Sequence, residues 1–179
     1  LGVNYDTCHL GVEYEEPDDA LDRLAGAGIR ISKIHLSSAL KAVPTTANLK
    51  RLASFREEVY LHQVVEAKDG EVIRRHKDLD LALAFSQTNP TDVGDEWRIH
   101  FHVPLHTPPG NDLGDTRDHV EGTLDYLAKA PSACRHLEME TYTWEVLPDN
   151  LRSGDVVDQI IREYEWTLKE LDKRGLKTR

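Results

Sequence analysis

The chain has 179 residues, of which 39% are hydrophobic and 30% charged, and its formal net charge at pH 7 is −10. This length suits one domain with a hydrophobic core, and the acidic balance argues against nucleic acid as a partner because phosphate contacts need clustered Lys and Arg. No run approaches the roughly 20 apolar residues that cross a bilayer, and no charged and then apolar leader precedes the first strand, so we expect no membrane insertion and a cytoplasmic location.

The first third of the chain alternates strand and helix. Apolar and polar residues alternate over 1–6, which predicts a strand ending at Asp6 and followed by His9. A proline start, acidic residues in the first turn and glycine stops predict a helix over 17–25. The β-rich segment 29–36 predicts a second strand with His35 at its end.

The sequence pattern changes in the middle of the chain, where β-rich runs interrupt the alternation of strand and helix. Thr45 or Thr46 is a candidate cap for a helix that continues to residue 55. Two β-rich runs then flank Asp69-Gly70, a strong hairpin signal, so we predict a β-hairpin over 58–77 inserted into the alternation. A short helix is predicted over 78–85.

A third strand is predicted over 97–103, with an apolar face and a polar face that carries His100 and His102. His106 opens a loop rich in Pro and Gly, a composition typical of a backbone that wraps a site. The next helix is predicted to begin at Asp115 or Thr116.

The fourth strand is predicted over 134–140 and ends at Glu140. Ser153 is the predicted cap of the longest helix, which ends near Gly175. We expect the apolar stripe of this helix to cover the sheet; it comprises Val157, Ile160, Ile161, Tyr164, Leu168 and Leu171.

Four strands linked by helix-bearing crossovers predict an α/β fold with a parallel sheet. The carboxyl ends of parallel strands lie along one edge. We therefore expect Asp6, His35, His100 or His102, and Glu140 to converge.

Two carboxylates and imidazole nitrogen suit Mn²⁺, Mg²⁺, Zn²⁺, Co²⁺ or Fe²⁺. Such an ion polarises a substrate oxygen while a nearby Glu takes a proton from the adjacent carbon, which is the step shared by isomerases and epimerases. The alternative to a metal site is a polar cleft in which the histidines only form hydrogen bonds and no metal binds. Cys8 and Cys134 lie in apolar segments, where unpaired cysteine behaves as a small hydrophobe, and they predict neither a disulfide framework nor a closed zinc finger.

Four segments together resemble the xylose isomerase-like TIM barrels, and more narrowly the barrel proteins of the ebo metabolite-traffic clusters. They are residues 6–9 (DTCH), 33–40 (KIHLSSAL), 100–106 (HFHVPLH) and 137–144 (LEMETYTW). The resemblance covers nearly the whole chain. It implies that residues 1–179 form a partial TIM-barrel domain, the C-terminal half of a (β/α)₈ barrel with strands five to eight and an inserted β-hairpin.

The resemblance also implies roles for individual residues. Asp6, His35 and Glu140 correspond to metal ligands of the superfamily, and His9 would contact the substrate or a second metal. The chain departs from the sugar epimerases after the second strand, where Ser37 stands in place of their usual Arg. We assign proton transfer to Glu140 together with His9, and substrate binding to His100, His102, His106 and Lys33.

Three functions follow as hypotheses. The first is a divalent-metal-dependent isomerase or epimerase, with Mn, Mg, Zn or Co as cofactor, that acts on a small sugar-like or polyol-like metabolite. The second is a non-catalytic metabolite-binding or trafficking component, and the third is an endonuclease IV-like phosphoesterase, which the acidic charge disfavours. Because the chain begins inside a strand, we expect a fragment whose open sheet is covered by an N-terminal half-barrel or by a second copy.

Overall fold

The computed structural model describes residues 1–140, 143–149, 151–152 and 154–177. It is a mixed α/β fold with two sheets, one parallel and one antiparallel. In chain order, its strands and α-helices are β1 (Val3–Asp6), α1 (Thr7–Val12), α2 (Pro17–Gly26), β2 (Ile31–Leu36), β3 (Ser38–Ala42), α3 (Thr46–Leu52), β4 (Val64–Lys68), β5 (Glu71–His76), α4 (Leu79–Thr88), β6 (Glu96–Val103), β7 (Leu113–Asp115), α5 (Arg117–Lys129), β8 (Leu137–Met139) and α6 (Val156–Lys173).

The parallel sheet has three strands in the order β1-β2-β8. Its register places Asp6 opposite His35, and His35 opposite Glu138. Glu140 follows β8 directly, and its backbone N–H donates to the carbonyl oxygen of Leu36 at 3.4 Å. The carboxyl ends of all three strands therefore lie side by side, as predicted for these three.

The antiparallel sheet has five strands in the order β5-β4-β6-β3-β7. The prediction that residues 97–103 form the third of four parallel strands is wrong, because β6 pairs antiparallel with both β3 and β4. The reason is β3, which is separated from β2 by Ser37 alone and gives β6 an antiparallel partner. The described residues form no closed barrel, and the half-barrel stays a prediction.

The predicted hairpin is present as β4 and β5, which pair antiparallel around Asp69 and Gly70. Both turn residues have positive φ, 53° and 82°, which is the geometry of the tight turns that match strand twist. The first strand begins at Val64 rather than near residue 59, and β4 also pairs with β6. The hairpin thereby extends the antiparallel sheet.

The predicted helices α2, α3, α4 and α5 are present close to their expected bounds. Thr45 caps α3 by accepting from the backbone N–H of Asn48, and Asp78 caps α4. None of the helices in the described part of the chain has the length and apolar character needed to cross a membrane.

α6 presents its apolar stripe outward, which corrects the prediction that the stripe covers the sheet. Val157, Ile160, Ile161, Tyr164 and Leu168 are exposed, and only Leu171 of the stripe is buried. The buried face of α6 carries the polar residues Gln159, Glu163, Thr167 and Glu170. Glu170 pairs with Lys173 and Arg174, and Arg174 reaches Asp125 on α5 at 2.5 Å. These ion pairs fix the rotation of the helix. Asp155 caps α6, and the predicted cap Ser153 lies outside the described residues.

α1 connects the two sheets. Cys8 and Val12 of this helix pack against Ala39 of β3 and Val65 of β4, while Asp6 at its N-terminus ends β1. Of the two larger core clusters, one is built around β6 and the other around β2. The first turn of α1 is therefore held from both sheets, and the candidate site lies at this turn.

Candidate metal centre

Asp6, His35 and Glu140 converge at the carboxyl edge of the parallel sheet. Each of them offers one ligand atom, and these atoms all lie within 4.8 Å of one another. Asp6 is 5% exposed, whereas His35 and Glu140 are partly exposed. The arrangement could hold a metal ion between one buried carboxylate, one imidazole and one accessible carboxyl group.

The two oxygen atoms of Asp6 have different surroundings. Oδ1 accepts hydrogen bonds from the backbone N–H of Cys8 at 2.9 Å, the backbone N–H of His9 at 3.1 Å and the hydroxyl of Ser37 at 3.0 Å. Oδ2 lies 3.4 Å from Nδ1 of His35 and 3.9 Å from Nε2 of His9. Oδ1 therefore caps α1, and Oδ2 is the oxygen directed at the centre of the site.

Ser37 is buried and holds Asp6 in place, because its hydroxyl donates to Oδ1 of that residue. Its backbone N–H donates to the hydroxyl of Thr7 at 2.9 Å, and that hydroxyl donates to the carbonyl oxygen of Ser37 at 2.7 Å. These bonds join the end of β2 to the start of α1. They fix the direction of the Asp6 carboxylate.

The two ring nitrogens of His35 also differ. Nδ1 lies 3.4 Å from Oδ2 of Asp6 and 3.4 Å from Oε2 of Glu140, and Nε2 lies 3.4 Å from Oε2 of Glu138. The amide nitrogen of Asn4, which can only donate, is 3.2 Å from Nδ1 and favours the tautomer with the proton on Nε2. In this tautomer the proton on Nε2 points at the Glu138 carboxylate, and a metal ion would take the place of the Asn4 amide at the lone pair of Nδ1.

Lys33, predicted to bind substrate, is paired here with Glu138, since its Nζ lies 2.7 Å from Oε2 of that residue. Lys33 thus pairs with the Glu138 carboxylate, and the same carboxylate contacts the ring of His35. Glu138 was missing from the predicted site, although it alternates with Glu140 along the fourth strand, and this spacing places the two on the same face.

Burial and, after it, the hydrogen bond and charge of the nearby Asp6 carboxylate raise the pKa of Glu140 to about 7, and His35 opposes this shift without reversing it. Burial alone would also raise the pKa of Asp6, but the charge of His9 and its backbone N–H together hold that pKa below its usual value. Asp6 is therefore the ionised member of the pair, while Glu140 can gain or lose a proton near neutral pH.

A second cluster borders the first. Cys8, His100 and His102 each offer a ligand atom, again all within 4.8 Å of one another. Nδ1 of His102 lies 3.4 Å from the backbone oxygen of Glu140, which places this cluster beside the carboxyl edge. The ring of His9 contacts that of His100, with 4.5 Å between centroids, and lies 6.4 Å from that of His102.

Burial lowers the pKa of His100 to about 4 and that of His102 to about 3. Burial raises the pKa of the Cys8 thiol well above its usual value, and the Asp6 and Glu140 carboxylates add to this effect. At neutral pH both imidazoles are thus uncharged, and the thiol keeps its proton. Sequence reasoning treated Cys8 as a small apolar residue, and the only signal for another role was its position between Asp6 and His9.

His106 belongs to neither cluster. Burial lowers its pKa, and so do Arg162 on α6 and Arg117 on α5. No hydrogen bond or ion pair between described residues joins it to the six residues of the two clusters. Thr141 and Tyr142 of the fourth resembling segment lie outside the described residues.

Comparison of the chain with protein-family models, with curated proteins and with solved structures gave no match.

Proposed function

We propose that the protein is a divalent-metal-dependent isomerase or epimerase that acts on a small sugar-like or polyol-like metabolite. The observation that carries the proposal is the approach of Asp6, His35 and Glu140, whose ligand atoms lie within 4.8 Å of one another. The proposal includes membership of the xylose isomerase-like superfamily, with the chain as part of a (β/α)₈ barrel.

The donor set supports a hard or borderline cation. It contains one imidazole nitrogen and two carboxyl oxygens, which suits Mg²⁺, Mn²⁺, Zn²⁺ or Co²⁺. Oε2 of Glu140 lies 3.4 Å from Nδ1 of His35 and beside the Asp6 carboxylate, and a cation would relieve the repulsion between the two carboxyl groups. The three hydrogen bonds that Asp6 accepts at the start of α1 all go to Oδ1, so Oδ2 is free of the capping role.

A cation at this position would polarise a carbonyl or hydroxyl oxygen of the substrate and so favour loss of a proton from the adjacent carbon. Glu140, with a pKa near 7, is suited to take that proton and return it to the neighbouring carbon. His9, whose side chain is 54% exposed, contacts the substrate at the mouth of the site. His100 and His102 line the inner wall as neutral hydrogen-bonding groups.

Deuterium exchange tests the function directly. We expect the chain, supplied with Mn²⁺, Mg²⁺, Zn²⁺ or Co²⁺ in D₂O, to exchange the proton next to the carbonyl of at least one aldose, ketose or sugar phosphate. Replacing the base by Glu140→Gln removes the titrating group and should lower the exchange rate by about 10²-fold or more. NMR measures the exchange, and Glu121→Gln on the exposed face of α5 is the matched control.

Tight binding of a metabolite without exchange in the wild-type chain would overturn catalysis in favour of a binding or trafficking role. Hydrolysis of an abasic-site oligonucleotide, lost in Glu140→Gln, would instead indicate a phosphoesterase. Equal exchange rates in the wild type and Glu140→Gln would remove Glu140 as the base.

A further inference from the structure

Cys8, His100 and His102 form a second cluster that borders the Asp6–His35–Glu140 cluster of the proposed isomerase site. Cys8 is fully buried in the first turn of α1, and the two histidines alternate along β6 on the face that meets this turn. Their ligand atoms lie within 4.8 Å of one another. The neighbouring elements therefore hold a thiol and two imidazoles in one small volume.

We propose that Cys8, His100 and His102 bind a second metal ion of borderline softness, best matched by Zn²⁺, beside the Asp6–His35–Glu140 cluster. Sulfur with two imidazole nitrogens is a donor set that favours zinc over magnesium, manganese or calcium. Three protein ligands leave one position of a tetrahedral ion for water or for a substrate atom.

One further observation points to a ligand. Nε2 of His100 is buried without a hydrogen-bond partner among the described residues, which costs free energy unless another group binds this nitrogen. Metal binding requires the thiolate form of Cys8, so the thiol proton leaves to solvent when the zinc–sulfur bond forms.

The second site shares structure with the first. The backbone N–H of Cys8 donates to Oδ1 of Asp6 at 2.9 Å, and the backbone oxygen of Glu140 lies 3.4 Å from Nδ1 of His102. A zinc ion bound to Cys8 would fix the turn that orients the Asp6 carboxylate. It would also hold β6 against the carboxyl edge of the parallel sheet.

Cobalt substitution tests the site, because a Co²⁺–thiolate bond gives a charge-transfer absorption band that oxygen and nitrogen ligands do not. We expect the 179-residue chain to show this band with one equivalent of thiolate-bound Co²⁺, and Zn²⁺ to remove it by displacement. Cys8→Ala should abolish the band. The matched control is Cys134→Ala, which removes the other free, buried cysteine and should keep the band.

His100→Gln should lower the Co²⁺ affinity at least about tenfold while the thiol remains, and it tests the site even if Cys8→Ala fails to fold. Glu140→Gln should keep the band, so failure of the isomerase proposal and failure of this one are distinguishable. Absence of the band in the wild type, or its persistence in a folded Cys8→Ala variant, would overturn the second site.

Discussion

Asp6 combines a structural and a chemical role through its two oxygen atoms. Oδ1 accepts three hydrogen bonds, which cap the start of α1 and join it to Ser37 at the end of β2. A helix-capping role alone would account for the contacts of Oδ1. Oδ2 has no such explanation, because it faces two imidazoles and a second carboxyl group, and the charge of His9 adds to the capping N–H in holding the pKa of the carboxyl group low. The negative charge, rather than the hydrogen-bonding shape, is therefore what the site requires of this residue.

Asp6→Asn separates these two roles. Asn is as good a helix cap as Asp, so we expect the free energy of unfolding to fall by no more than about 1 kcal/mol. The carboxylate charge is lost, and the affinity for Mn²⁺ or Zn²⁺ at the first site should fall at least about tenfold. Titration calorimetry measures the affinity, and urea unfolding measures the stability.

Asp19→Asn, at an exposed position in the first turn of α2, is the control for the metal affinity, which it should leave unchanged. An Asp6→Asn variant with wild-type metal content by mass spectrometry would contradict the assignment of Asp6 as a ligand.

At the scale of whole elements, the sequence predicted those with a clear period or a strong turn. β1, β2, the hairpin, α2 and the apolar face of β6 follow from alternation, from Asp69-Gly70 and from Pro17. β3 was missed because four of its five residues are buried, which leaves no alternation of apolar and polar residues to detect. α1 was missed because Asp6 was interpreted only as a strand end, although it also caps a helix of six residues.

The candidate site also has a part that the sequence predicts and a part that it does not. Asp6, His35 and Glu140 were predictable because parallel strands place their ends together whatever the rest of the fold does. The antiparallel pairing of β6 was not predictable, because it depends on contacts with β3 and β4, which are distant in sequence. His100 and His102 nevertheless reach the site, since α1 packs against β6 as well as against β2.

The packing of α5 against β1 predicts loss of stability in acid. His119 of α5 is 4% exposed and its Nε2 lies 2.9 Å from the hydroxyl of Tyr5. Burial lowers the pKa of His119 from 6.5 to about 4, and the Asp118 and Glu15 carboxylates oppose this shift without reversing it. The unfolded chain therefore binds a proton between pH 6.5 and 4 that the folded protein does not.

We expect this one group to contribute about 3 kcal/mol of stability that is present above pH 6.5 and is lost as the pH falls to 4. In His119→Gln, the decrease in unfolding free energy from pH 7 to pH 4 should be smaller by about that amount. Urea unfolding at several pH values measures it. His136→Gln, at an exposed position, is the control, and an unchanged pH dependence in His119→Gln would contradict the buried neutral imidazole.

At the scale of the whole molecule, two surfaces lack a covering element within the described part of the chain. β1 and β8 are the outer strands of the parallel sheet, so each has one edge without a strand partner. The outward face of α6 exposes Val157, Ile160, Ile161, Tyr164 and Leu168. Tyr164 and Leu168 also line a depression of about 830 Å³ next to β8. A contiguous apolar surface of this kind is typical of an interaction site.

The stripe on α6 predicts that the 179-residue chain associates with a second copy. The net charge of −10 opposes association, so we expect the dimer to strengthen as salt screens this repulsion, the behaviour of an apolar interface between acidic chains. Replacing Ile161 and Leu168 together by Gln removes apolar area from the centre of the stripe. Sedimentation velocity should then show a monomer, with the unfolding free energy unchanged within about 0.5 kcal/mol per substitution because both side chains are exposed.

The control is Leu81→Gln, which changes an exposed leucine on α4 and should leave the dimer intact. A wild-type chain that sediments as a monomer at every concentration and salt would show that α6 does not join two copies, and a dimer that persists in the double variant would place the interface at the open edges of β1 and β8.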